Sequence, residues 1–434
     1  MKISSVIFNR NHLNELSRYI NTHETSMHLI SKKTKLGIDE LNKHGNIVSI
    51  EEDELLDTLK RENTKYDLII ITDLFELTDD IYNTLKRVQE ILNEDGKLLI
   101  TSVNPKWNNI LRFFEYFKLK TVTSKRAYIH PKKISNIARS SGFEVNQIYS
   151  RQIFPFKIFG MGTLLNKILE GFAVPLNLGI KNYIVFGKYT NISVPSSKSI
   201  IIPAKNEEKN LIPLIERVPV FEEDYELIVV YGESEDDTEK VVLNLNSVFP
   251  DIKIKSFKQS LNGKANAVWE AVEASENNLI AILDSDQSVD PETLIDFFEI
   301  LENGNADFVN GTRLIYPMED KAMRIINTLG NKVFQFLISM VIGQKLTDSL
   351  CGTKVFKKSN LEKIYNWQNT LKSKDPFGDF DLIFSAAFAG DKILEYPVHY
   401  RARIYGETQI SRFRDGFKLI KYFIESFYLF NFSK

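Results

Sequence analysis

The stretch that decides the fold is "NLIAILDSDQSVDPETL" (278–294). Its apolar first part has the length of a buried strand, and three carboxylates, Asp284, Asp286 and Asp290, follow at once. Pro291 directly after Asp290 predicts a helix start, with Asp290 as its N-cap and Pro at the first helical position. A strand that leads through a polar turn into a helix is the unit from which parallel sheets are built. The stretch therefore predicts an α/β fold with an acidic turn at a strand end.

The same alternation extends outward from this stretch through the second half of the chain. Apolar runs typical of strands lie at 199–203, 225–231, 252–257, 278–284 and 306–311. Segments with helical periodicity lie between them at 207–217, 236–248, 264–275 and 291–303. This order predicts a mainly parallel sheet with helices on both faces, in which functional groups gather at the carboxyl ends of the strands.

Two α/β domains of Rossmann type fit the length of 434 residues. The polar stretch "GKYTNISVPSSKS" (187–199) predicts a linker at 191–198 between domains 1–190 and 199–434.

Composition excludes several classes of protein. The chain is 43% hydrophobic and 26% charged, as soluble globular proteins are, and its net charge of -2 argues against a nucleic-acid binder. The single cysteine, Cys351, excludes an intramolecular disulfide and fits a reducing cytoplasm. No uncharged apolar stretch reaches the roughly 18–20 residues needed to span a bilayer. Segment 320–343 is either a core helix or an amphipathic helix at the membrane, and segment 417–434 is aromatic and basic. We expect a cytoplasmic protein with peripheral contact at the cytoplasmic membrane face through at least one of them.

The acidic turn suits a hard cation. Two carboxylates one residue apart, Asp284 and Asp286, can face one Mg²⁺ or Mn²⁺ and leave positions open for phosphate oxygens. The alternative is a solvated acidic turn. At another predicted helix start, Gly263 and Lys264 offer backbone N–H groups and an ammonium to a phosphate.

Taken together, the motifs resemble family 2 glycosyltransferases, with a GT-A nucleotide-sugar-binding fold, of the dolichyl-phosphate mannose synthase type. The resemblance spans 198–430 and rests on ordered motifs: "IIIPAKNEE", "ELIVVYGESEDDT", "GKANAV", "AILDSDQSVDPETL", "NGTRL", "LTDSLCGTKVF", "DPFGDFDL" and "EYPVHYRARIYGETQISRF". It implies metal binding by Asp284 and Asp286 and a donor site that includes Pro203, Ala204, Glu207, Tyr231, Glu233, Asp284, Arg313 and Arg403.

The resemblance also implies the reaction. A sugar would move from a nucleotide-sugar donor to a polyprenyl phosphate by a single inverting displacement, with Asp379 and Asp381 as catalytic carboxylates on the acceptor side. A glycan or other hydroxyl acceptor is the alternative, and it would need a general base. Three positions depart from the family pattern: Tyr231–Gly232 replaces a carboxylate, Ser288 replaces a metal-contacting Gln, and Gln409 replaces a Lys.

The first half resembles another family. The segments 65–105 and 129–145 are similar to the later part of class I S-adenosylmethionine methyltransferases. These enzymes need a Gly-rich turn after their first strand, whereas the first 100 residues hold only Gly37, Gly45 and Gly96, which form no cluster. We therefore expect a methyltransferase-like domain without cofactor binding that serves structure, partner binding or acceptor positioning. A working methyltransferase fused to a sugar-nucleotide-binding module and a non-catalytic scaffold are the remaining alternatives.

Overall fold

The structure, a computed structural model, describes most of the chain. The described residues are 5–31, 46–51, 54–78, 80–116, 131–153, 169, 178–189, 196–315, 325–344, 346–403, 405–406 and 412–432.

The first half forms a six-stranded sheet flanked by helices. Its strands are β1 (Ser26–Ser31), β2 (Asn46–Ile50), β3 (Tyr66–Ile71), β4 (Leu92–Val103), β5 (Phe143–Arg151) and β6 (Lys181–Lys188). Its helices are α1 (Ser5–Ile20), α2 (Leu55–Arg61), α3 (Leu74–Leu77), α4 (Ile81–Ile91), α5 (Asn108–Tyr116) and α6 (Pro131–Ser140).

In this first sheet the strand order is β2-β1-β3-β4-β6-β5. The first four are parallel, while β6 runs antiparallel to both β4 and β5. The residues that follow β1, including Gly37 and Gly45, lie outside the described residues.

The second half forms a seven-stranded sheet. Its strands are β7 (Lys198–Ala204), β8 (Tyr225–Tyr231), β9 (Ile254–Lys258), β10 (Leu279–Ile282), β11 (Phe308–Thr312), β12 (Lys354–Lys357) and β13 (Ile393–Pro397). Its helices are α7 (Leu211–Arg217), α8 (Thr238–Val248), α9 (Lys264–Ala274), α10 (Leu294–Glu302), α11 (Ile325–Ile342), α12 (Leu361–Thr370), α13 (Asp379–Ala389) and α14 (Arg412–Phe432).

In the second sheet the strand order is β13-β11-β12-β10-β7-β8-β9, and only β12 runs antiparallel to its neighbours. Apolar clusters cover both faces, since Ile200 and Ile202 point into one and Ile201 into the other. The predicted α/β class, with two sheets in which parallel pairing dominates, is confirmed. The central position of β10 and β7 brings their carboxyl ends side by side.

The strands and helices predicted for the second half are present, and three helices begin later than predicted; one of them, α8, begins at Thr238 rather than at 236. Helix α7 begins at Leu211 rather than at 207, because the backbone amides of Asn206, Glu207 and Glu208 donate to side chains of the loop after β8 and of the first residue of α8. Helix α10 begins at Leu294, after a 3-10 turn at Pro291–Thr293.

The predicted linker, 191–198, lies largely outside the described residues, and Lys198 is already the first residue of β7. In the described part of the chain, no helix is both long and apolar enough to cross a membrane. Segment 320–343 is described from Ile325 onward and segment 417–434 as far as Phe432.

Candidate functional site

The acidic turn lies at the carboxyl end of β10, between β7 and β12. The hydroxyl of Ser285 donates to the carbonyl oxygen of Pro203 at 2.9 Å, which ties the turn to the end of β7. Gln287 adopts the left-handed region at φ 55° and so turns the chain back. The side chain of Asp284 is 28% exposed and that of Asp286 is 8% exposed. The turn thus holds both carboxylates at the rim of the sheet.

Each of the two carboxylates is paired with a cation from a distant part of the chain. Nζ of Lys264 lies 2.5 Å from Oδ1 of Asp284, and Nη2 of Arg403 lies 2.7 Å from Oδ2 of Asp286. Burial opposes ionisation of Asp284, but the charge of Lys264 outweighs it and lowers the pKa of the carboxyl. Burial likewise opposes the charge of Lys264, yet Asp284 and Asp379 outweigh it and raise the pKa of the ammonium. Lys264 and Asp284 are therefore both charged at neutral pH.

Ser288 contributes to the turn through its backbone. Its amide donates to Oδ1 of Asp286 at 3.0 Å, and its carbonyl oxygen accepts from the amide of Arg401 at 2.9 Å. An isolated bridge between Val289 and Tyr400 continues this pairing. The segment that carries Arg403 is thereby aligned along the acidic turn. Gln409, the third departure from the family pattern, lies outside the described residues.

Asp290 stands at the predicted N-cap position, but its side chain makes no capping hydrogen bond. Instead, its carboxylate pairs with Arg217 at 2.6 Å and with Arg401 at 2.9 Å. The predicted N-cap position of Asp290, with Pro291 at the start of the helical turn, is confirmed, and the side chain has other partners. Two nearby guanidinium groups compete for the carboxylate, and charge-assisted hydrogen bonds to them are stronger than a bond to a neutral amide.

A loop between α11 and β12 closes over the acidic turn. A Cβ atom added to Gly352 would lie 2.1 Å from Oδ2 of Asp284, so only glycine fits against this carboxylate. Earlier in the same loop, Asp348 binds Arg313 through two hydrogen bonds, with Nε at 2.7 Å and Nη2 at 2.9 Å. The guanidinium also lies over the ring of Tyr400, 5.0 Å from its centroid. The predicted phosphate contact of Arg313 stays a prediction, and in this structure its Nε and Nη2 donate to Asp348.

The two acceptor-side carboxylates at the start of α13 have different surroundings. Oδ1 of Asp379 lies 2.6 Å from Nζ of Lys354, a fully buried ammonium that also donates to the carbonyl oxygen of Cys351. Asp381 accepts hydrogen bonds from the hydroxyl of Tyr422 and from Nε2 of Gln368. Asp379 thus contacts a residue of the site, Lys354. Asp381 is instead hydrogen-bonded to side chains of the neighbouring helices α12 and α14. A catalytic role for either residue stays a prediction.

Lys354 is the residue that the sequence reasoning missed. It contacts Asp379 directly, and its charge helps to lower the pKa of Asp284. The available signal was a lysine at the start of the apolar strand "TKVF" (353–356). A lysine is almost never fully buried unless it is paired, so this position indicated a carboxylate partner.

The predicted donor-side residues gather at the ends of β7 and β8. Ala204 pairs with Tyr231 in the sheet, and the hydroxyl of Tyr231 donates to Glu239 at 3.3 Å. Pro203 lies at the end of β7, and Glu233 is exposed in the loop after β8. These residues form one continuous rim beside the acidic turn.

Glu207 faces this rim from a buried position. Nδ2 of Asn210 donates to Oε2 of Glu207 at 2.5 Å, and the backbone amide of Glu207 donates to Oγ1 of Thr238 at 2.8 Å. Burial raises the pKa of Glu207 to about 7; the hydrogen bond from Asn210 opposes this rise, and the charge of Asp286 adds to it. Glu207 therefore changes charge near neutral pH.

Gly263 stands at the N-cap of α9 with φ 116°, a backbone conformation that favours glycine. It directly precedes Lys264, whose ammonium reaches Asp284. The exposed amino terminus of α9 thus opens beside the acidic turn.

The donor set at the turn fits a hard divalent cation. Among the described residues, no group of three or more His, Cys, Asp or Glu side chains could hold a metal. The two carboxylates are hard oxygen ligands at the rim of the sheet. A cation there would complete its shell with oxygens of a bound diphosphate or with water, as Mg²⁺ commonly does.

Comparison with known proteins identifies the class of protein that the second half resembles, the glycosyltransferases. Residues 199–365 match the family model described as glycosyl transferase family 2. The seven-stranded, mainly parallel sheet is of the kind that the resemblance to GT-A enzymes predicts. Residues 17–148 match a model described as a methyltransferase domain, which confirms the predicted likeness of the first half.

Curated relatives match about half of the chain. A dolichyl-phosphate hexose transferase of Haloferax volcanii is 25% identical over 218 residues, which are 50% of this chain and 88% of that protein. A dolichyl-phosphate beta-glucosyltransferase of Trichomonas vaginalis is 27% identical over 222 residues, which are 46% of this chain and 65% of that protein. Among solved structures, the UDP complex of glucosyl-3-phosphoglycerate synthase from Mycobacterium tuberculosis is similar at 17% identity, with a TM-score of 0.41, over 54% of this chain and 80% of that one.

Proposed function

We propose that this chain transfers a sugar from a nucleotide-sugar donor to a polyprenyl phosphate, with a divalent cation and inversion at the anomeric carbon. The observation that carries the proposal is the pair Asp284 and Asp286 at the end of β10, each joined to a cation, Lys264 or Arg403. A site with two carboxylates for a metal and two basic groups for phosphates suits a nucleoside diphosphate. The dolichyl-phosphate transferases among the relatives support the acceptor class.

Asp284 and Asp286 would hold Mg²⁺ or Mn²⁺. A cation bound there neutralises charge that develops on a leaving diphosphate. Lys264 and Arg403 now bond to the same carboxylates, so a metal would compete with them and release both for the diphosphate oxygens. Pro203, Ala204 and Glu207 would border the base and ribose from the end of β7, with Tyr231 and Glu233 beside the base.

The acceptor would bind on the side of Asp379 and Lys354. In the proposed displacement, an acceptor oxygen forms a bond to the anomeric carbon while the bond from that carbon to the diphosphate breaks. A phosphate acceptor is already anionic and needs no general base. The buried ammonium of Lys354, 2.6 Å from Asp379, offsets the negative charge that Asp379 would otherwise present to an anionic acceptor.

Helix α14 offers a face for the membrane that would carry such an acceptor. Phe417, Ile420, Ile424 and Tyr428 are exposed and recur at helical spacing along one stripe, which we call the α14 stripe. Exposed Lys418 adjoins the stripe. An apolar stripe with basic side chains beside it suits the headgroup region of an anionic membrane. We propose peripheral attachment through this stripe at the cytoplasmic face.

Two alternatives make different predictions. A glycan or other hydroxyl acceptor would require Asp379 or Asp381 to act as a general base. A working methyltransferase in the first half would require S-adenosylmethionine binding, which we propose the domain has lost. Radiolabelled S-adenosylmethionine retained by the full chain would revive that alternative.

A thermal-shift panel tests the proposal. UDP-, GDP- and dTDP-sugars are added to the full chain with and without Mn²⁺, and transfer to dolichyl phosphate is then compared with transfer to a hydroxyl acceptor. A ligand at a hundredfold excess over its Kd adds about 2.7 kcal/mol of stability, so the correct donor shifts Tm more strongly with Mn²⁺. A panel in which no sugar nucleotide shifts Tm contradicts the proposal.

A further inference from the structure

The first domain packs against the carboxyl-terminal ends of three helices of the glycosyltransferase domain. Gly343 follows α11, and a Cβ added there would lie 3.1 Å from Cβ of Tyr149 on β5. Gly390 follows α13, and a Cβ added there would lie 2.9 Å from Cε1 of Tyr19 on α1. The last turn of α14 contributes Phe430, whose carbonyl oxygen also contacts β5. One face of the first domain therefore receives all three helix ends.

Donor groups on β5 satisfy the backbone at these helix ends. Nε2 of Gln147 donates to the carbonyl oxygen of Ala387 at 2.8 Å, and Nδ2 of Asn146 donates to that of Gly390 at 3.0 Å. Nη2 of Arg151 donates to the carbonyl oxygen of Phe430 at 3.3 Å. The last carbonyls of a helix lack partners within the helix and form the negative end of its dipole. Neutral and cationic donors on β5 are thus complementary to these ends.

Charged side chains fix the same contact. Nζ of Lys97 on β4 lies 2.5 Å from Oδ2 of Asp307 and 3.6 Å from Oδ1 of Asp391, just after α13. Burial opposes the charge of Lys97, but the two carboxylates outweigh it and raise the pKa of the ammonium. The guanidinium of Arg18 lies 5.3 Å from the ring centroid of Phe388. A buried ion pair is costly unless its geometry is fixed, so these contacts determine how the two domains are oriented.

The three helices that end on the first domain carry the acceptor side of the site. Helix α13 begins with Asp379, and α14 carries the α14 stripe. Helix α11 contributes Asn331, which donates to the carboxylate of Asp348 that binds Arg313. By contrast, among the described residues no hydrogen bond or ion pair joins the first domain to the donor-side loops 203–208 and 231–238.

We infer that the methyltransferase-like domain positions the acceptor side of the glycosyltransferase site, with Asn146 and Gln147 as positioning residues that act through α13. The inference rests on the proposed function. Asp379 begins α13 and lies eight residues, about 12 Å along the helix, from Ala387, whose carbonyl oxygen Gln147 contacts. A displacement of that end moves Asp379 with it, and a misplacement of about 1 Å can cost about 100-fold in rate.

Two variants and a matched control test this inference in the full chain. Asn146→Leu and Gln147→Met each remove one donor to α13 with little change of volume. Asn104→Leu removes a comparable buried bond inside the first domain, from Nδ2 of Asn104 to the carbonyl oxygen of Gly179 at 2.8 Å. The probes are UDP-glucose with Mn²⁺, or another sugar nucleotide of the panel that the wild type hydrolyses, and dolichyl phosphate.

Both positioning variants are expected to lower kcat/KM for dolichyl phosphate about tenfold or more. Hydrolysis of the sugar nucleotide without acceptor stays within about twofold of wild type, because the donor side is untouched. Hydrogen exchange in 379–389 becomes faster in both variants and not in Asn104→Leu. If transfer and hydrolysis instead fall together in all three variants, the role is only structural and the inference is overturned.

Failure of the proposed function gives a different result. A wild-type protein that neither hydrolyses nor transfers any sugar of the panel contradicts that function. Hydrogen exchange in 379–389 then decides whether the first domain orders α13, because this measurement needs no substrate. If hydrogen exchange in 379–389 is unchanged in both variants, the inference is overturned. If Asn146→Leu does not fold, the exchange of Gln147→Met alone decides the question.

Discussion

The ammonium of Lys264 at the start of α9 lies 2.5 Å from the carboxylate of Asp284 at the end of β10. The two residues are separated by one helix and one strand in sequence, and the sheet brings them together. A second pair, Arg403 with Asp286 at 2.7 Å, lies beside the first. Lys264 and Arg403 thus neutralise the two carboxylates of the acidic turn. A bound diphosphate would attract the same two cations, so donor binding would release the carboxylates.

Asp286→Asn is expected to lower the transfer rate by about 100-fold, the scale of losing one group that stabilises charge in a transition state. It should also raise the Mn²⁺ concentration required for half-maximal activity. Asp290→Asn is the matched control, since this carboxylate in the same turn pairs with Arg217 and Arg401. Steady-state rates across a Mn²⁺ titration measure both effects. An Asp286→Asn enzyme with unaltered rate and metal dependence contradicts the assignment of the metal site.

Gly352→Ala is expected to abolish most activity, because the added Cβ would lie 2.1 Å from Oδ2 of Asp284. Overpacking of this kind also costs roughly 1–3 kcal/mol of stability. Gly330→Ala in α11 is the control, since nothing lies within 4 Å of its added Cβ, and it should stabilise by roughly 0.5–1 kcal/mol. Urea unfolding and transfer rates distinguish the two. Full activity of Gly352→Ala would show that the loop does not hold Asp284 in place.

Lys354→Met and Asp379→Asn are each expected to destabilise the protein by about 3–5 kcal/mol, the cost of leaving one charge of a buried pair without its partner. The double variant should lose clearly less than the sum of the two, because no unpaired charge remains. Urea unfolding of the wild type, both single variants and the double variant gives the coupling energy. Additive losses would mean that the 2.6 Å contact contributes no coupling.

Glu207→Gln is expected to gain stability relative to wild type as pH rises. The folded-state pKa is about 7 against an ordinary value of 4.5, so between these values the folded protein binds the proton more tightly than the unfolded chain does. The contribution of Glu207 to the free energy of unfolding of the wild type is therefore greatest below about pH 4.5, and it falls as the pH rises through 7. The neutral Gln side chain of the variant does not titrate and so lacks this loss. The difference between the two proteins in the free energy of unfolding should reach roughly 2–3 kcal/mol. Unfolding at pH 5, 6, 7 and 8 measures it; a difference that stays constant contradicts the prediction.

Ile424→Glu in the α14 stripe is expected to weaken binding to anionic vesicles that contain dolichyl phosphate by about tenfold or more. The change removes an exposed apolar side chain and adds a charge that anionic lipid repels. Leu243→Glu is the matched control, because Leu243 is equally an exposed apolar residue on a helix, α8. Vesicle sedimentation measures the affinities. Equal losses in both variants would assign the effect to net charge alone.

Much of the fold was predictable because it depends on local pattern. Apolar runs bounded by polar turns marked β7, β8 and β10 within a few residues, and the strand end at Asp284 followed directly. The N-cap position of Asp290 was predicted correctly, but local pattern could not show that two arginines, distant in sequence, bind its carboxylate. Lys354 was missed for the same reason, since its partner Asp379 belongs to another element.

The sequence by itself determined the two α/β domains, the acidic turn after β10 and the family likeness of each half, because these depend on periodicity and on residues close together in the chain. Only the tertiary structure decided which cation meets which carboxylate, why Gly352 must lack a side chain and which helix ends rest on Asn146 and Gln147. Those relationships join residues separated by up to 244 positions. They depend on the packing of sheets and helices, which no local pattern encodes.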